Sequence, residues 1–183
     1  VLAINLAQAL VVGVVGALAD SAALLGAALD NLADDGVYAI SLYAVGRTVL
    51  AKSLVARLSG TLLFVLALLL LAEVVRRFFV GADPVGMAMV VAAAGNVVAN
   101  LWCMKLLRGQ RENGVHLKAS WIFTTNDMLA NAGIIVSGIV VMVFGASWPD
   151  LVIGLVVVAI AFKGGLEIFE QAREARKTAE GVA

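Results

Sequence analysis

Six long apolar runs, separated by short polar breaks, dominate the chain. Each run approaches the roughly 20 residues that a helix needs to cross a bilayer. Runs of this length indicate helices rather than barrel strands, because a helix satisfies all of its backbone groups internally in lipid. The predicted helices cover residues 1–19, 22–46, 56–78, 86–107, 118–144 and 150–172. The pattern therefore predicts an all-α membrane protein with six transmembrane helices.

The breaks between the runs contain residues that start turns and helices. Asp20-Ser21 is a turn and N-cap pair, and Gly81 to Pro84 and Gly145 to Pro149 are turn signals that precede helix starts. The composition agrees with a membrane location, since 62% of residues are hydrophobic, the mean hydropathy is +1.02 and only 14% are charged. A soluble domain would carry about 25% charged residues. We predict one six-helix transmembrane domain over residues 1–172, a short charged tail over residues 173–183, and no C-terminal soluble domain.

Charge determines the predicted orientation. One side of the predicted bundle carries most of the basic residues, namely Arg47, Lys52, Arg57, Lys105, Arg108, Arg111, Lys118, Arg173, Arg176 and Lys177. The other side holds only Arg76 and Arg77. Because positive residues concentrate on the cytoplasmic side of membrane proteins, both termini are predicted to be cytoplasmic. The formal net charge is zero, which gives no case for a nucleic-acid partner.

Three acids inside the apolar runs are the strongest functional signal. Asp30 and Asp34 are four residues apart in the second predicted helix, so they share one helical face, and Asp127 lies in the fifth. Ionisable residues at membrane depth are costly, and they usually mark an ion or substrate site. Two carboxylates this close repel each other, so a proton or a cation is expected between them. If helices two and five pack together, the three acids would converge with one or two amide oxygens, such as that of Asn131.

Other polar residues permit simpler interpretations. Asn96 and Asn100 are a further pair at helical spacing, and interhelical hydrogen bonding is the simpler reading of such amides. His116 is predicted to be a solvated residue in the connection between helices four and five. The single cysteine, Cys103, excludes an internal disulfide and a cysteine-cluster metal site. No Ser-His or Cys-His catalytic pair can be built within the membrane.

The motifs around the acids resemble those of a known family. The segment DSAALLGAALDNLADD at residues 20–35 resembles the second helix of cation diffusion facilitator (cation efflux) transporters. The segment IFTTNDMLANAG at residues 122–133 resembles their fifth helix, and WPDLVIG at residues 148–154 is similar to the entry to their sixth. The resemblance extends over essentially the whole chain, and the order and helix positions of its motifs make it fairly specific.

The resemblance implies a transported divalent metal such as zinc, cobalt, iron or manganese, exchanged for protons by a homodimer in a bilayer. The metal is then a substrate, no resident cofactor is expected, and a bacterial inner (plasma) membrane is the expected location. The implied ligands are Asp30, Asp34 and Asp127. The family's usual fifth-helix histidine falls at Phe123, so the fourth ligand would be Asn126, Asn131, Asn31 or water. An all-oxygen set favours harder ions such as manganese, magnesium or iron(II), yet zinc also accepts carboxylates, so the metal stays open.

Two other functions use the same intramembrane acids. A magnesium-dependent membrane transferase would use aspartates to hold a pyrophosphate, but it needs basic residues beside the acids, and none lies near Asp30 or Asp127 in either helix. A membrane scaffold would use the acids only for packing, so Asp30→Ala would change stability but not metal tolerance. We predict that the protein is not an enzyme but a metal/proton antiporter, working by alternating access around the aspartates.

Overall fold

The computed structural model describes residues 2–44, 49–107 and 115–179. Within these ranges the chain forms six helices and no β-strand. They are α1 (Leu2–Leu18), α2 (Ala22–Ala44), α3 (Val49–Val80), α4 (Gly86–Leu107), α5 (Val115–Phe144) and α6 (Trp148–Ala179). Helices α4, α5 and α6 each contain a stretch long and apolar enough to cross a membrane, and α1 is a shorter apolar helix. The prediction of an all-α, six-helix membrane fold is confirmed.

The predicted breaks lie where the sequence placed them. Gly81 and Gly145 follow α3 and α5 with φ values of 92° and 62°, and each donates its N–H to a carbonyl four residues earlier, which is the usual glycine C-cap. Ser21 caps α2, since its Oγ accepts the Leu24 N–H at 3.1 Å. Asp20, just before this cap, also has a left-handed backbone, with φ 50°. These chain reversals meet at one end of the bundle, where the Val85 N–H donates to the Ala19 carbonyl at 2.9 Å; we call it the outer end.

Some helix starts were predicted too late. Helix α3 begins at Val49 rather than at residue 56, so Lys52 belongs to the helix and not to the connection before it. Helix α5 begins at Val115, which places His116 in its first turn instead of in a loop. Leu, Ala, Lys and Arg are good helix formers, and no Gly or Pro interrupts residues 49–57, so the helix continues beyond the apolar run. Helix α6 likewise continues past residue 172, to Ala179.

Helix α2 lies at the centre of the bundle because its two faces belong to two different cores. The first core joins α1, α2, α4 and α5 through Val12, Ala23, Leu24, Ala27, Ala28, Met89, Ala93, Ile134 and Val141, with Ala19 from the α1–α2 turn. The second joins α2, α3 and α6 through Ala22, Leu29, Leu63, Ala67, Leu70, Val74, Val157, Val158 and Ala161. Accordingly α2 packs against each of the other five helices. An acid on α2 can therefore be surrounded by protein on all sides.

Small residues let helices approach closely. A Cβ atom on Gly138 of α5 would lie 2.9 Å from the Gly86 carbonyl oxygen of α4, so the two backbones touch near the outer end. The outward faces are apolar, with large side chains such as Leu10, Leu69, Val91 and Val136 more than 60% exposed. An exposed apolar surface of this extent is expected of a protein that lies in lipid.

Candidate metal site

Helix α2 carries four polar residues on the side that faces the protein interior, namely Asp30, Asn31, Asp34 and Asp35. Asp34 and Asp35 are 8% exposed and Asn31 is 2% exposed, while Asp30 is half-buried. Among the described residues, Asp34 Oδ2, both Asp35 carboxyl oxygens and Asn31 Nδ2 have no hydrogen-bond partner. Buried polar atoms without a partner are uncommon in folded proteins, and they indicate a place where an ion, a proton or water completes the bonding.

Helix α5 brings the third acid, Asp127, next to these residues of α2. Asp127 is 5% exposed, and its carboxyl group lies next to that of Asp30. Two ionised carboxylates this close repel each other, so a proton or a cation between them is favourable. Asp34 lies close enough to both groups for its charge to interact with theirs. Helices α2 and α5 thus pack as expected, and the three predicted acids are neighbours.

The three acids do not surround a common point as metal ligands would. In the described part of the chain, no three His, Cys, Asp or Glu side chains have the geometry of a metal site. Asp30 and Asp127 lie side by side where α2 meets α5, and Asp34 stands one helical turn along α2 from Asp30.

The candidate amide ligands differ in their surroundings. Asn131, 2% exposed, donates Nδ2 to the Asp127 backbone carbonyl at 2.7 Å, and its Oδ1 accepts from Asn96 Nδ2 at 3.3 Å. Its amide is therefore already bonded to two neighbours. Asn31 is buried with a free Nδ2. The side chains of Asn126 and Phe123 lie outside the described residues.

A buried cluster of amides extends from the acids towards α1. Gln8 of α1, 7% exposed, donates Nε2 to Asn96 Oδ1 and to Asn100 Oδ1, each at 3.0 Å. Sequence reasoning had treated Asn96 and Asn100 as packing residues and had missed Gln8. The signal was present, because Gln8 and Asn5 are polar residues three positions apart inside the first apolar run, and both are buried. We call Gln8, Asn96, Asn100 and Asn131 the amide cluster.

An acid from α6 fixes the start of α2. Asp150 is fully buried and accepts three hydrogen bonds, from Ser21 Oγ at 2.6 Å, the Ala22 N–H at 2.7 Å and the Ala23 N–H at 3.1 Å. These backbone groups are free donors of the first turn of α2, and a carboxylate there also interacts favourably with the helix dipole. The carboxylate therefore fixes the helix that bears Asp30.

An ion-pair group closes the outer end. Arg77 of α3 is 3% exposed and contacts Asp20 Oδ1 at 3.1 Å and Glu73 Oε1 at 2.8 Å. Asp20 Oδ2 in turn accepts the Asp83 N–H at 3.2 Å. The group ties the α1–α2 turn to α3 and to the α3–α4 connection, although the sequence had presented these residues only as loop and helix-end charges.

Comparison with known proteins agrees with this architecture. The model of the cation efflux transmembrane domain matches residues 1–175. The zinc transporter ZitB of Yersinia pestis is 24% identical over 169 residues, which is 85% of this chain and 54% of that protein. The cadmium, cobalt and zinc/H(+)-K(+) antiporter of Bacillus subtilis strain 168 is 24% identical over 118 residues, 63% of this chain and 38% of that protein. The chain thus spans about half the length, or less, of these curated relatives.

The family match covers nearly the whole chain, and it agrees with the six-helix bundle and the acids at its centre. The prediction that the chain belongs to the cation efflux family is confirmed. The chain belongs to the cation efflux family of integral membrane transport proteins.

Proposed function

We propose that the protein exports a divalent metal cation in exchange for protons, by alternating access around Asp30, Asp34 and Asp127. The observation that carries the proposal is that the packing of α2 against α5 brings the three carboxyl groups together inside the bundle. A proton held between carboxyl groups and a cation held by the same groups exclude each other. Such a site therefore couples metal movement to proton movement without a second ion path.

The transport cycle follows from this exclusion. In the cytoplasm-facing state the acids lose their protons and bind the metal through carboxylate oxygens. In the outward-facing state protons return to the carboxyl groups, and the metal leaves. Metal affinity falls with acidity because the ligands must be deprotonated. The basic residues at the opposite end from the 81–85 connection support a cytoplasmic location of that end.

The metal is proposed from ligand chemistry and from the relatives. The two relatives are named for zinc, and one also for cadmium and cobalt. Zinc accepts carboxylates, whereas an all-oxygen set also suits manganese and iron(II). Asn31, Asn126, Asn131 or water would supply the fourth position. The Asn131 oxygen already accepts from Asn96 Nδ2, so Asn131 would have to share or lose that bond in order to bind a metal.

We further propose that two copies form a homodimer through α6. Lys163 and Glu167 form an i,i+4 ion pair at 3.8 Å, with side chains 79% and 57% exposed, inside the apolar span Trp148–Glu170. Charged groups facing lipid at this depth are costly, so a protein surface opposite them would be favourable. Cysteine cross-linking at residue 166 in native membranes tests this, and a monomer with no cross-link in lipid would contradict it.

The transport proposal is tested with purified protein in liposomes that contain a pH-sensitive dye. Zinc, cobalt, cadmium, manganese, iron(II) and magnesium are added in turn, and proton movement is followed for wild type, Asp127→Ala and the exposed-loop control Asp83→Asn. We expect proton flux with at least one metal, lost in Asp127→Ala and kept in Asp83→Asn. Absence of flux with every metal, from a folded protein, would overturn the proposal and favour a scaffold.

A further inference from the structure

The amide cluster makes a continuous path of hydrogen bonds from α1 to the acid on α5. Gln8 donates to Asn96 Oδ1 at 3.0 Å, Asn96 donates to Asn131 Oδ1 at 3.3 Å, and Asn131 donates to the Asp127 carbonyl at 2.7 Å. All four amide side chains of the cluster are at least nine-tenths buried. The path ends on the backbone of Asp127, so it holds that residue's main chain against α4 and α1.

The register of α4 against α5 places Asn100 across from Asp127. Asn96 and Asn131 face each other on two antiparallel helices. One turn further along α4 is Asn100, and one turn back along α5 is Asp127, so these two residues occupy the next facing level. An ideal Cβ on Gly138 of α5 would lie 3.0 Å from Met89 Cβ of α4, which agrees with this register because each residue is seven positions from Asn131 or Asn96.

Asn100 has a donor that the structure leaves unused. Its side chain is fully buried, and its Oδ1 accepts from Gln8 at 3.0 Å. Nδ2 has no partner among the described residues. Because Gln8 donates to the oxygen, the amide cannot turn over without losing that bond, and Nδ2 is left as a donor without an acceptor. The Asp127 carboxyl, at the facing level of α5, lies next to that of Asp30.

We propose that Asn100 is a positioning residue for Asp127, donating Nδ2 to its carboxylate in the metal-bound state, while Gln8 holds the Asn100 amide in the required orientation. This inference rests on the proposed function, because it assumes that Asp127 binds the metal. When Asp30 and Asp127 separate around a cation, the Asp127 oxygen that does not face the metal gains the Asn100 donor. Hydrogen bonds of this kind orient ligating carboxylates and strengthen metal binding.

The test compares Asn100→Leu, which keeps a similar volume without a donor, with Asn100→Gln, which keeps an amide. The matched control is Ser137→Ala, which removes another buried, unpartnered polar atom, from α5 nearer the outer end. Zinc affinity is measured in detergent by competition with a fluorescent chelator, and KM and Vmax are measured by zinc-driven proton flux in liposomes. We expect Asn100→Leu to weaken zinc binding and raise KM roughly 10- to 100-fold with little change in Vmax. Asn100→Gln should recover much of the affinity, and Ser137→Ala should match wild type.

Unchanged affinity and KM in Asn100→Leu would overturn the inference. So would a loss of Vmax and melting temperature together, without recovery in Asn100→Gln, because that result shows a packing role alone. If wild type binds zinc without transporting it, the proposed function fails, and the affinities still decide the role of Asn100. If wild type does not bind zinc, the infrared carboxylate band assigned by Asp127→Asn at alkaline pH decides it. A shift of that band in Asn100→Leu supports the donor, and an unshifted band overturns it.

Discussion

Asp150 on α6 is expected to be one of the largest single contributors to stability. Replacing it with Ala removes the acceptor of three hydrogen bonds at the start of α2. The Ser21 hydroxyl can rotate towards another acceptor, but the N–H groups of Ala22 and Ala23 cannot, and both residues are fully buried. Each buried donor left unpaired costs about 1–3 kcal/mol, so Asp150→Ala should lower the free energy of unfolding by about 4 kcal/mol.

A second variant separates the acceptor from the charge. Asp150→Asn retains one side-chain oxygen, so one of the two backbone N–H groups stays bonded, and we expect a loss of about 2 kcal/mol. Unfolding is followed by circular dichroism while mixed micelles are titrated with a denaturing detergent. Asp83→Ala, in the exposed 81–85 connection, is the control and should remain within about 0.5 kcal/mol of wild type.

The reasoning would be refuted if Asp150→Ala lay within the range of the Asp83→Ala control. It would also be refuted if the Ala and Asn variants lost equal amounts, since the difference between them measures the retained oxygen. Because the cap fixes the helix that carries Asp30, Asp150→Ala should also reduce metal-driven proton flux in the fraction of protein that remains folded.

Three further predictions concern packing, the outer ion pairs and pH. Gly138→Ala places a Cβ 2.9 Å from the Gly86 carbonyl oxygen and should destabilise the protein by about 1–3 kcal/mol. The control Gly95→Ala has open space around its Cβ and should not destabilise the protein. Thermal unfolding of the two variants tests this difference. Arg77→Met should cost about 2 kcal/mol, less than a fully buried pair because its acidic partners are partly exposed, while Arg76→Met, whose side chain is 53% exposed, should cost clearly less. Equal losses in the two arginine variants would contradict this. Zinc affinity in detergent should fall steadily as the pH is lowered, since protons compete for the ligand oxygens, and a pH-independent affinity would contradict carboxylate ligation.

The sequence was sufficient to predict the helices and the proximity of the three acids. Apolar runs and glycine or proline breaks are local features, so they located α1 to α6 within a few residues at most ends. The helix start at Val49 was missed because apolarity measures the span in lipid, and helix-forming Lys and Arg continue a helix beyond it. Asp30 and Asp34 could be placed on one face from spacing alone, and their meeting with Asp127 required only that α2 and α5 pack.

The contacts that hold the site were not predictable in this way. Gln8 bonds to residues 88 and 92 positions away, and Asp150 bonds to backbone groups 127 and 128 positions away. Such pairs depend on the register between helices, which is set by how side chains fill the cores and not by any local pattern. An isolated amide or acid in an apolar run shows that a partner is needed, but it does not show which helix supplies it.

Gly86 and Gly138 make a close backbone contact near the outer end, about which we expect α5 to tilt together with α4, because the Asn96–Asn131 bond joins the two helices. Asp127 lies 11 residues from Gly138, or about 16 Å along the helix axis at 1.5 Å per residue. A tilt of about 10° about that contact would move the Asp127 carboxyl group sideways by about 3 Å relative to α2, enough to separate it from Asp30. A small rotation at one end would thus become the opening of the site at the other, and bulk added at Gly138 should slow metal transport as well as weaken the fold.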